Sequence, residues 1–229
     1  MKLKLVQEEV QPSPLALILL GPPGSGKGTQ ARRISKRLGI PQISTGDILR
    51  VAIKAKSLLG LAAHSKMEAG ELISDDIVCE LVENKIQSPD CNKGFILDGF
   101  PRTLSQAVRI DEMFKNKPNY CIHVMILKVD RGTLLKRITG RRTCSACGEI
   151  YNIYFNPAQH DGVCDHDGKP LEKRNDDTLE ASKNRQRAYE DLTYPLIEHY
   201  RNQDLLHEVD GNQDSLQLTE QLFRFVEIT

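Results

Sequence analysis

Short apolar runs recur along this chain, and each is followed by a stretch with helical spacing. Leu15–Leu20 is a continuous apolar run that stops at Gly21, and Gly94–Asp98 and residues 121–127 are runs of the same kind. Runs without polar alternation are typical of strands that are buried on both faces of a parallel sheet. A shorter run at 40–44 predicts one further strand.

Apolar residues at helical spacing fill the intervals between these predicted strands. The pattern predicts helices over residues 29–38, 76–87, 104–114, 134–138 and 181–200, and a helical stretch that opens at Thr45. The first of these helices ends at Gly39, and glycine is the usual residue after the last turn. The alternation predicts an α/β fold with a doubly wound parallel sheet.

This alternation breaks between residues 140 and 177. Cysteines, glycines, an Asn-Pro pair and aromatic residues replace the regular pattern there. We therefore predict a small inserted module in this segment. Residues 1–14 are mixed charged and polar, and we expect them to form a flexible N-terminal extension.

Composition narrows the function classes. The chain of 229 residues carries 31 Lys and Arg against 31 Asp and Glu, so its formal net charge is zero. A neutral chain gives no bulk electrostatic reason to expect nucleic acid or an anionic membrane surface as a partner. We find no secretory signal pattern and no apolar run near the roughly 20 residues that a spanning helix needs. We therefore expect a cytoplasmic protein with no nucleic-acid or membrane partner.

The segment after the first predicted strand has the composition of a phosphate-binding loop. It reads Gly-Pro-Pro-Gly-Ser-Gly-Lys-Gly-Thr over residues 21–29. Glycines let successive backbone N–H groups converge on phosphate oxygens, and the positive end of the following helix favours the same anion. Lys27 adds a mobile positive charge. Gly28 stands where the usual motif has Ser or Thr, and we expect Thr29 to help position phosphate or Mg²⁺.

Three motifs in this order resemble those of adenylate kinases. They are residues 21–29, Ser-Thr-Gly-Asp-Ile-Leu-Arg at 44–50 and Asp-Gly-Phe-Pro-Arg-Thr at 98–103. Gly-Arg-Arg at 140–142, Arg-Asn-Asp-Asp at 174–177 and Arg185 extend the resemblance, which is to the bacterial long-LID, zinc-containing type. It implies the reaction ATP + AMP ⇌ 2 ADP with Mg²⁺, and it makes ATP, AMP and ADP the expected partners.

The resemblance also implies how the P-loop NTPase-type fold is divided. A CORE covers residues 15–43, 74–139 and 178–229, an AMP-binding helical insert covers 44–73, and a small zinc-binding LID insert covers 140–177. We expect the LID to swing as a rigid body on hinges near Gly140 and Asp177. Asp176 and Asp177 are expected to pair with LID arginines when it closes.

On the donor side, the resemblance implies ATP-binding roles for residues of the loop and the LID. These are Gly24, Ser25, Gly26, Lys27, Gly28, Thr29, Arg137, Arg141, Ile150, Tyr151 and Gln213. Arg137 is expected to stack on adenine, and Gln213 to contact it through its backbone carbonyl. Asp98, at the end of a predicted buried strand, is expected to act on Mg²⁺ through water.

On the acceptor side, the resemblance implies AMP-binding roles for a second set of residues. These are Thr45, Arg50, Glu71, Leu72, Ile73, Gly99, Phe100, Pro101, Arg102, Gln106, Arg174 and Arg185. The amide of Gln106 can both donate and accept a hydrogen bond, which fits the paired donor and acceptor on the edge of adenine.

Phosphoryl transfer between two nucleotides brings two polyanions together, so positive charge has to approach from several directions. Arginine suits this task because its planar fork holds phosphate oxygens bidentately. The expected catalytic residues are Lys27, Arg102, Arg141, Arg174 and Arg185. No general base is needed, because the acceptor phosphate is already ionised. We interpret the arginines outside these motifs as surface charge: Arg32, Arg33, Arg109 and Arg201.

Three cysteines of the insert have metal-site spacing: Cys144, Cys147 and Cys164. A structural zinc ion needs four ligands, and Asp167 stands after Cys164 as Cys147 stands after Cys144. Spacing therefore favours Asp167 as the fourth ligand, with His166 and then His160 as alternatives. Zinc here would stiffen the LID, because a small insert has too little apolar core to fold firmly alone.

Two other function classes stay open on sequence alone. Another nucleoside monophosphate kinase, one that acts on UMP or CMP or uses GTP as donor, would share these motifs, although pyrimidine kinases of this group typically have a short LID. The second alternative is a zinc-ribbon nucleic-acid-binding protein with a P-loop, and the zero net charge disfavours it. We expect a monomer, which is usual for relatives.

Overall fold

The structure is a computed structural model that describes residues 13–116 and 119–227. All but two residues of the predicted N-terminal extension, 1–14, lie outside this part of the chain. The carbonyl oxygen of Pro14 accepts a hydrogen bond from the backbone N–H of Cys121 at 2.9 Å. The described chain therefore begins beside the strand that starts at Cys121.

A five-stranded parallel sheet lies at the centre of the described part of the chain. Its strands are β1 Leu15–Leu20, β2 Gln42–Ser44, β3 Gly94–Asp98, β4 Cys121–Lys128 and, last along the chain, β8 Leu206–Asp210. They lie in the order β2-β3-β1-β4-β8. Later strands are added on both sides of β1, and ligands usually bind outside the carboxyl ends of the strands at such a point.

The described part of the chain also contains α-helices between and after these strands. They are α1 Lys27–Leu38, α2 Thr45–Lys54, α3 Leu58–Ala69, α4 Asp75–Ile86, α5 Leu104–Lys115, α6 Arg131–Thr139, α7 Leu179–Ala188, α8 Leu196–Arg201 and α9 Ser215–Glu227. Ser44, Ser57 and Thr103 cap α2, α3 and α5, each with its side chain accepting from a backbone N–H of the first turn. Within the described ranges, no helix is both long and apolar enough to cross a membrane.

Alternate residues of β1 face two separate cores. Ala16, Ile18 and Leu20 pack in a core with α4, α5 and α8. Leu17 and Leu19 pack on the opposite face with α1 and α9. All five side chains are nearly inaccessible to solvent. This confirms the prediction that the continuous apolar run is a strand buried on both faces.

A second, smaller sheet lies in the segment where the alternation breaks. Its strands, β5 Arg141–Cys144, β6 Ile150–Asn152 and β7 Leu171–Glu172, pair antiparallel in the order β6-β5-β7. We call residues 140–177 the LID segment. Its buried apolar cluster consists of Cys144, Tyr151 and Cys164. A core of three side chains contributes little apolar burial, so this sheet needs another source of stability.

The prediction of one helix over residues 181–200 is wrong. α7 ends at Ala188, a π-helical turn covers Tyr189–Thr193, and α8 begins at Leu196. Pro195 has no backbone N–H and cannot continue a helical hydrogen-bond ladder, so it separates the two helices. The apolar pattern also missed α3, α9 and β8, and it extended β2 to residues 40–44, two residues too many.

Candidate active site

A cavity of about 630 Å³ lies outside the carboxyl ends of the parallel strands. The loop after β1, the start of α2, the segment after β3 and the strand β6 of the LID segment all contribute to its wall. Its volume falls within the roughly 300–1,000 Å³ of ligand pockets. The cavity therefore joins the three motifs that lie far apart in the sequence.

The loop at residues 21–26 needs glycine for its path. Gly24 and Gly26 have φ of 83° and 101°, which other residues rarely adopt. A Cβ atom at Gly24 would also lie 3.0 Å from the carbonyl oxygen of Leu134, so the loop packs directly on α6. Residues 24–29 all line the cavity. The loop thus presents the start of α1 to the cavity in the arrangement that a phosphate group requires.

Lys27, the first residue of α1, folds its ammonium group back over the loop. Nζ donates to the carbonyl oxygens of Gly21 at 2.6 Å and Pro22 at 3.0 Å, and it lies 3.3 Å from Oγ of Ser25. Burial lowers the pKa of Lys27 from 10.5 to about 8, an effect that Asp98 opposes and nearby arginines reinforce. A buried cation whose partners are neutral oxygens favours an anion at this point of the cavity.

Asp98 ends β3 beside the start of α1 and lines the cavity. Its Oδ2 accepts from Nε2 of Gln42 at 2.9 Å, and a Cβ atom at Gly28 would lie 3.1 Å from the same oxygen. Glycine in place of the usual Ser or Thr therefore leaves room for this carboxylate. The sequence offered no signal for Gln42, which belongs to a short strand and to no motif.

Arg102 joins the motifs at 44–50 and 98–103. Its Nε donates to the carbonyl oxygen of Gly99 at 2.7 Å, and Oγ1 of Thr45 donates to the same oxygen at 3.0 Å. Thr193, from the π-helical turn, donates to the carbonyl oxygen of Arg102 at 2.8 Å. Burial lowers the pKa of Arg102. The guanidinium is thus held in a fixed position at the cavity wall.

Gln106 has protein partners at both ends of its amide. Oε1 accepts from the backbone N–H of Arg102 at 2.7 Å, and Nε2 donates to Oδ1 of Asp75 at 2.7 Å. The hydroxyl of Thr103 donates to the other oxygen of Asp75 at 2.6 Å. An adenine edge at this amide would have to share or replace these bonds. Asp75 escaped prediction because an acidic residue in the first turn of a helix is common.

Carboxylates of the chain pair with the cavity arginines. Nη2 of Arg50 donates to Asp47 at 2.6 Å, and Nη1 lies 3.8 Å from Asp176. Burial favours a raised pKa for Asp47, but the charge and hydrogen bonds of Arg50 outweigh it, so the pKa of Asp47 is lowered. Burial, together with the charges of Arg141 and Arg50, lowers the pKa of Arg174 to about 10.

Asp177 pairs with arginines from two directions. Its fully buried carboxylate accepts two bonds from Arg141, one of them from Nε at 2.8 Å, and lies 3.3 Å from Nη2 of Arg185. Asp176 accepts from Nη1 of Arg185 at 3.2 Å. Asp177 thus pairs with a LID arginine as expected, whereas the partners of Asp176, Arg185 and Arg50, lie outside the LID segment. Burial favours a raised pKa for Asp177, but Arg141 and Arg185 outweigh it and lower the pKa.

Arg137 lies between the loop and the turn at residues 211–213. It donates to the carbonyl oxygens of Ser25 at 3.0 Å and Gly211 at 2.8 Å. Its guanidinium carbon lies 5.7 Å from the centre of the Phe155 ring. Phe155 also lines the cavity, and it escaped prediction because it is one of several aromatic residues in an irregular segment. Gln213 lies on this same side of the cavity wall.

Two arginines that we interpreted as surface charge instead connect distant elements of the fold. Arg33 also lines the cavity, so that interpretation is wrong for Arg33. Arg32 donates to the carbonyl oxygen of Gly148 at 2.6 Å, and Arg33 donates to the carbonyl oxygen of Ser215 at 2.8 Å. These partners are 116 and 182 residues away in the chain, beyond any local pattern. Two others pair with surface carboxylates, as expected: Arg109 and Arg201.

The structure brings nearly all predicted nucleotide-binding residues to this cavity. The residues that line it are Gly24, Ser25, Gly26, Lys27, Gly28, Thr29, Thr45, Arg50, Glu71, Leu72, Ile73, Gly99, Pro101, Arg102, Gln106, Arg137, Arg141, Ile150, Tyr151, Arg174, Arg185 and Gln213. Phe100 is the exception, because its ring packs in the core with β1.

The four residues predicted as zinc ligands also lie together. Cys144, Cys147, Cys164 and Asp167 place one ligand atom each within 4.8 Å of all the others. The sulfur atoms of Cys147 and Cys164 are 3.7 Å apart, and Oδ1 of Asp167 is 3.3 Å from Sγ of Cys144. With zinc–sulfur bonds of about 2.3 Å, two sulfur atoms at a tetrahedral ion stand roughly 3.8 Å apart. The donor set and its size therefore fit zinc.

The positions of the ligand atoms favour Asp167 as the fourth ligand. Within the described ranges, His166 and His160 are not part of this group of mutually close ligand atoms. A hydrogen bond from the backbone N–H of Lys169, at 3.0 Å, lowers the pKa of Asp167 and keeps it ionised. Tyr151 connects this cluster to the cavity, since its hydroxyl lies 3.5 Å from Sγ of Cys164.

Comparison with known proteins agrees with the motifs and the cavity. A family model described as adenylate kinase matches residues 19–205. The adenylate kinase of Archaeoglobus fulgidus is 48% identical over 198 residues, which is 86% of this chain and 91% of that protein. The adenylate kinase of Desulfitobacterium hafniense is 46% identical over 205 residues, 90% of this chain and 94% of its own. The adenylate kinase of Citrifermentans bemidjiense is 49% identical over 195 residues, 85% of this chain and 91% of its own. With similarity that spans the P-loop, the arginine motifs and the cysteine insert alike, this chain belongs to the adenylate kinase family.

Proposed function

We propose that this protein catalyses the reversible transfer of a phosphoryl group from ATP to AMP, giving two ADP. The observation that carries the proposal is the shared cavity, in which a phosphate-binding loop and a second, arginine-lined wall face the same space. A hydrolase would need a phosphate site and access for water. A second wall rich in arginine instead fits a second phosphorylated substrate.

The donor site lies on the P-loop side. Residues 24–29 receive the ATP phosphates, and Lys27 exchanges its carbonyl partners for phosphate oxygens and follows the transferred group. Arg137, fixed by the carbonyl oxygens of Ser25 and Gly211, supports adenine next to Gln213. Arg141 and the strand β6 then cover the nucleotide from the LID segment.

The acceptor site lies on the opposite wall. Thr45, Arg50 and Arg102 hold the AMP phosphate, and residues 71–73 and 99–101 surround the nucleoside. Gln106 reads the adenine edge, with Asp75 holding its amide in place. Because Asp75 fixes which end of the amide donates, it contributes to the choice of base.

Catalysis then consists of positioning and charge. Arg102, Arg141, Arg174 and Arg185 all line the cavity, and in the proposed reaction they surround the transferred phosphoryl group, on which negative charge accumulates. The acceptor phosphate is ionised at neutral pH, so no residue has to remove a proton. Closure of the LID segment excludes water, which keeps the phosphoryl group from being lost to hydrolysis.

The residues beside the loop fit magnesium. Mg²⁺ in phosphotransferases usually keeps several waters and binds one or two carboxylates in addition to the phosphates. Asp98 supplies such a carboxylate at the cavity wall, oriented by Gln42, and Thr29 supplies a nearby hydroxyl. When bound, the ion neutralises charge on the donor phosphates.

The division into moving parts follows the same reasoning. We assign residues 15–43, 74–139 and 178–229 to the CORE, 44–73 to the AMP-binding insert and 140–177 to the LID. A structural zinc at the four-residue cluster would give the LID the rigidity that its three-residue core lacks. A cytoplasmic location and a monomeric state stay predictions from the sequence.

A comparison of acceptor nucleotides tests the proposal. With ATP and Mg²⁺ as donor, AMP, CMP, UMP and GMP are supplied in turn, and ADP formation is followed at steady state. We expect AMP to be the preferred acceptor, and GTP in place of ATP to be the poorer donor. Poor turnover of AMP relative to a pyrimidine nucleotide would overturn the assignment.

A further inference from the structure

Arg32 makes a contact that no part of the phosphate chemistry requires. It lies on α1, one turn beyond the P-loop, and its Nη1 donates to the carbonyl oxygen of Gly148 in the LID segment at 2.6 Å. The same nitrogen lies 3.5 Å from the carboxylate of Glu149. A hydrogen bond from a guanidinium to a carbonyl oxygen at this distance is charge-assisted and stronger than a neutral one.

On one side of this contact, Arg32 belongs to α1, which is packed firmly in the core. Ala31 and Ile34, which flank Arg32 on α1, are fully buried in the core between the sheet and α9. Arg33 ties the same helix to α9 through Ser215. The backbone at Arg32 therefore cannot follow a movement of the LID segment.

The other end of the contact belongs to the cysteine cluster. The backbone N–H of Gly148 donates to the carbonyl oxygen of Cys144 at 3.1 Å, which closes the turn between Cys144 and Cys147. Gly148 has φ of 73°, and this left-handed conformation sets the direction of its carbonyl group. β6 begins two residues later, and it covers the donor side of the cavity.

We propose that Arg32 is a positioning residue that holds the LID segment closed over the ATP site. This inference rests on the proposed function and on a LID that turns about Gly140 and Asp177. Such a rotation carries Gly148 away from α1, so the hydrogen bond exists only when the segment is closed. A bond made only in the closed form raises the affinity of any ligand that prefers that form. We expect ATP to contact the LID segment through Arg141 and β6, and AMP to reach it only through Arg174 near its end, so the gain falls mainly on ATP.

The test compares nucleotide affinities of the zinc-loaded full chain. Isothermal titration calorimetry gives the Kd of a non-hydrolysable ATP analogue and, separately, of AMP. For Arg32→Ala we expect the Kd of the analogue to rise about 3- to 10-fold, the range for one ordinary hydrogen bond, because solvent reaches the partly exposed Arg32 side chain and weakens the contribution of its charge. The Kd of AMP should change by less than about twofold, since an exposed charge contributes little elsewhere.

Two matched variants show whether the hydrogen bond to the Gly148 carbonyl oxygen causes the change in the Kd of the analogue. Arg131→Ala removes an exposed arginine of α6 that pairs with Glu190 outside the cavity, and both Kd values should stay as in the wild type. Glu149→Gln removes the longer ion pair and keeps the carbonyl bond, so its effect on the analogue should be smaller than that of Arg32→Ala. Amide hydrogen exchange in residues 150–152 should accelerate in Arg32→Ala alone.

Each contrary result has a distinct meaning. An unchanged Kd for the analogue in Arg32→Ala, or an equal loss of AMP affinity, would overturn the role of Arg32. If the wild type itself fails to form ADP from ATP and AMP, the proposed function fails instead.

Discussion

The P-loop and the LID segment contribute to one cavity, but the chain stabilises them by opposite means. The loop at residues 21–29 follows a strand that is buried in two extensive cores, and it packs closely on β4 and α6, where a Cβ atom at Gly21 or Gly24 would lie 2.9 or 3.0 Å from the carbonyl oxygen of Leu127 or Leu134, respectively. The LID segment has an apolar cluster of only three buried side chains, beside four residues that could hold a metal ion. The part that binds phosphate is thus rigid through packing. The LID segment, which we propose to move, would depend instead on a metal ion bound by these four residues.

Removal of the P-loop cation should have the largest effect. Lys27→Met deletes the only charged side chain within the loop and leaves the surrounding core intact, so we expect kcat/KM to fall by about 10²- to 10³-fold. Lys36→Met, at an exposed position of the same helix, is the matched control and should keep wild-type activity. Steady-state rates and thermal unfolding of both variants provide the measurement. A Lys27→Met enzyme with rates close to those of the control would exclude Lys27 from the transfer step.

Disruption of the four-residue cluster should weaken zinc binding in the LID segment. Asp167→Ala removes one of four ligands, and we expect zinc affinity to fall by at least roughly 10- to 100-fold, because even outer partners of a metal site contribute that much. The neighbouring His166→Ala is the control and should retain zinc. Metal content after dialysis against a chelator distinguishes them. Loss of zinc from His166→Ala with retention in Asp167→Ala would reassign the fourth ligand.

The pH dependence of ATP binding should show a smaller effect, confined to the P-loop. The pKa of Lys27 is lowered to about 8, so the side chain is charged below that pH and neutral above it. Phosphate favours the charged form, so binding above about pH 8 should take up a proton, and affinity should fall by at most tenfold per pH unit. Calorimetry in two buffers with different ionisation enthalpies measures this uptake. Lys27→Met should show none, and an equal uptake in that variant would assign the proton to another group.

The sequence predicted much of the fold where one local pattern determined the element. β1 and β3 have the predicted bounds, because an uninterrupted apolar run can only be buried on both faces. The break at Pro195 also has a local cause, because proline has no backbone N–H to continue the helix. The prediction missed it because apolar residues keep helical spacing on both sides of Pro195. The first turns of α9 alternate polar and apolar residues, and only the structure shows that Leu218, Leu222 and Phe223 form the face that packs in the core with α1.

In the candidate site, residues within a continuous sequence motif could be predicted, and residues whose partners lie far away in the chain could not. Residues within motifs, such as Lys27 and Arg102, reach the cavity as expected. Gln42, Asp75 and Arg32 act through partners 56, 31 and 116 residues away. No periodicity relates such positions, so tertiary structure alone reveals them.

The pairing of cavity arginines with carboxylates of the chain has one further consequence. Asp47 pairs with Arg50, Asp176 pairs with Arg185, and Asp177 pairs with Arg141. The positive charge of these arginines is therefore already balanced by carboxylates of the chain. A nucleotide that bound these arginines would have to compete with the carboxylates, which would lower its net affinity. The same carboxylates could pair with the arginines again when product leaves, so they would limit how tightly this wall retains ADP.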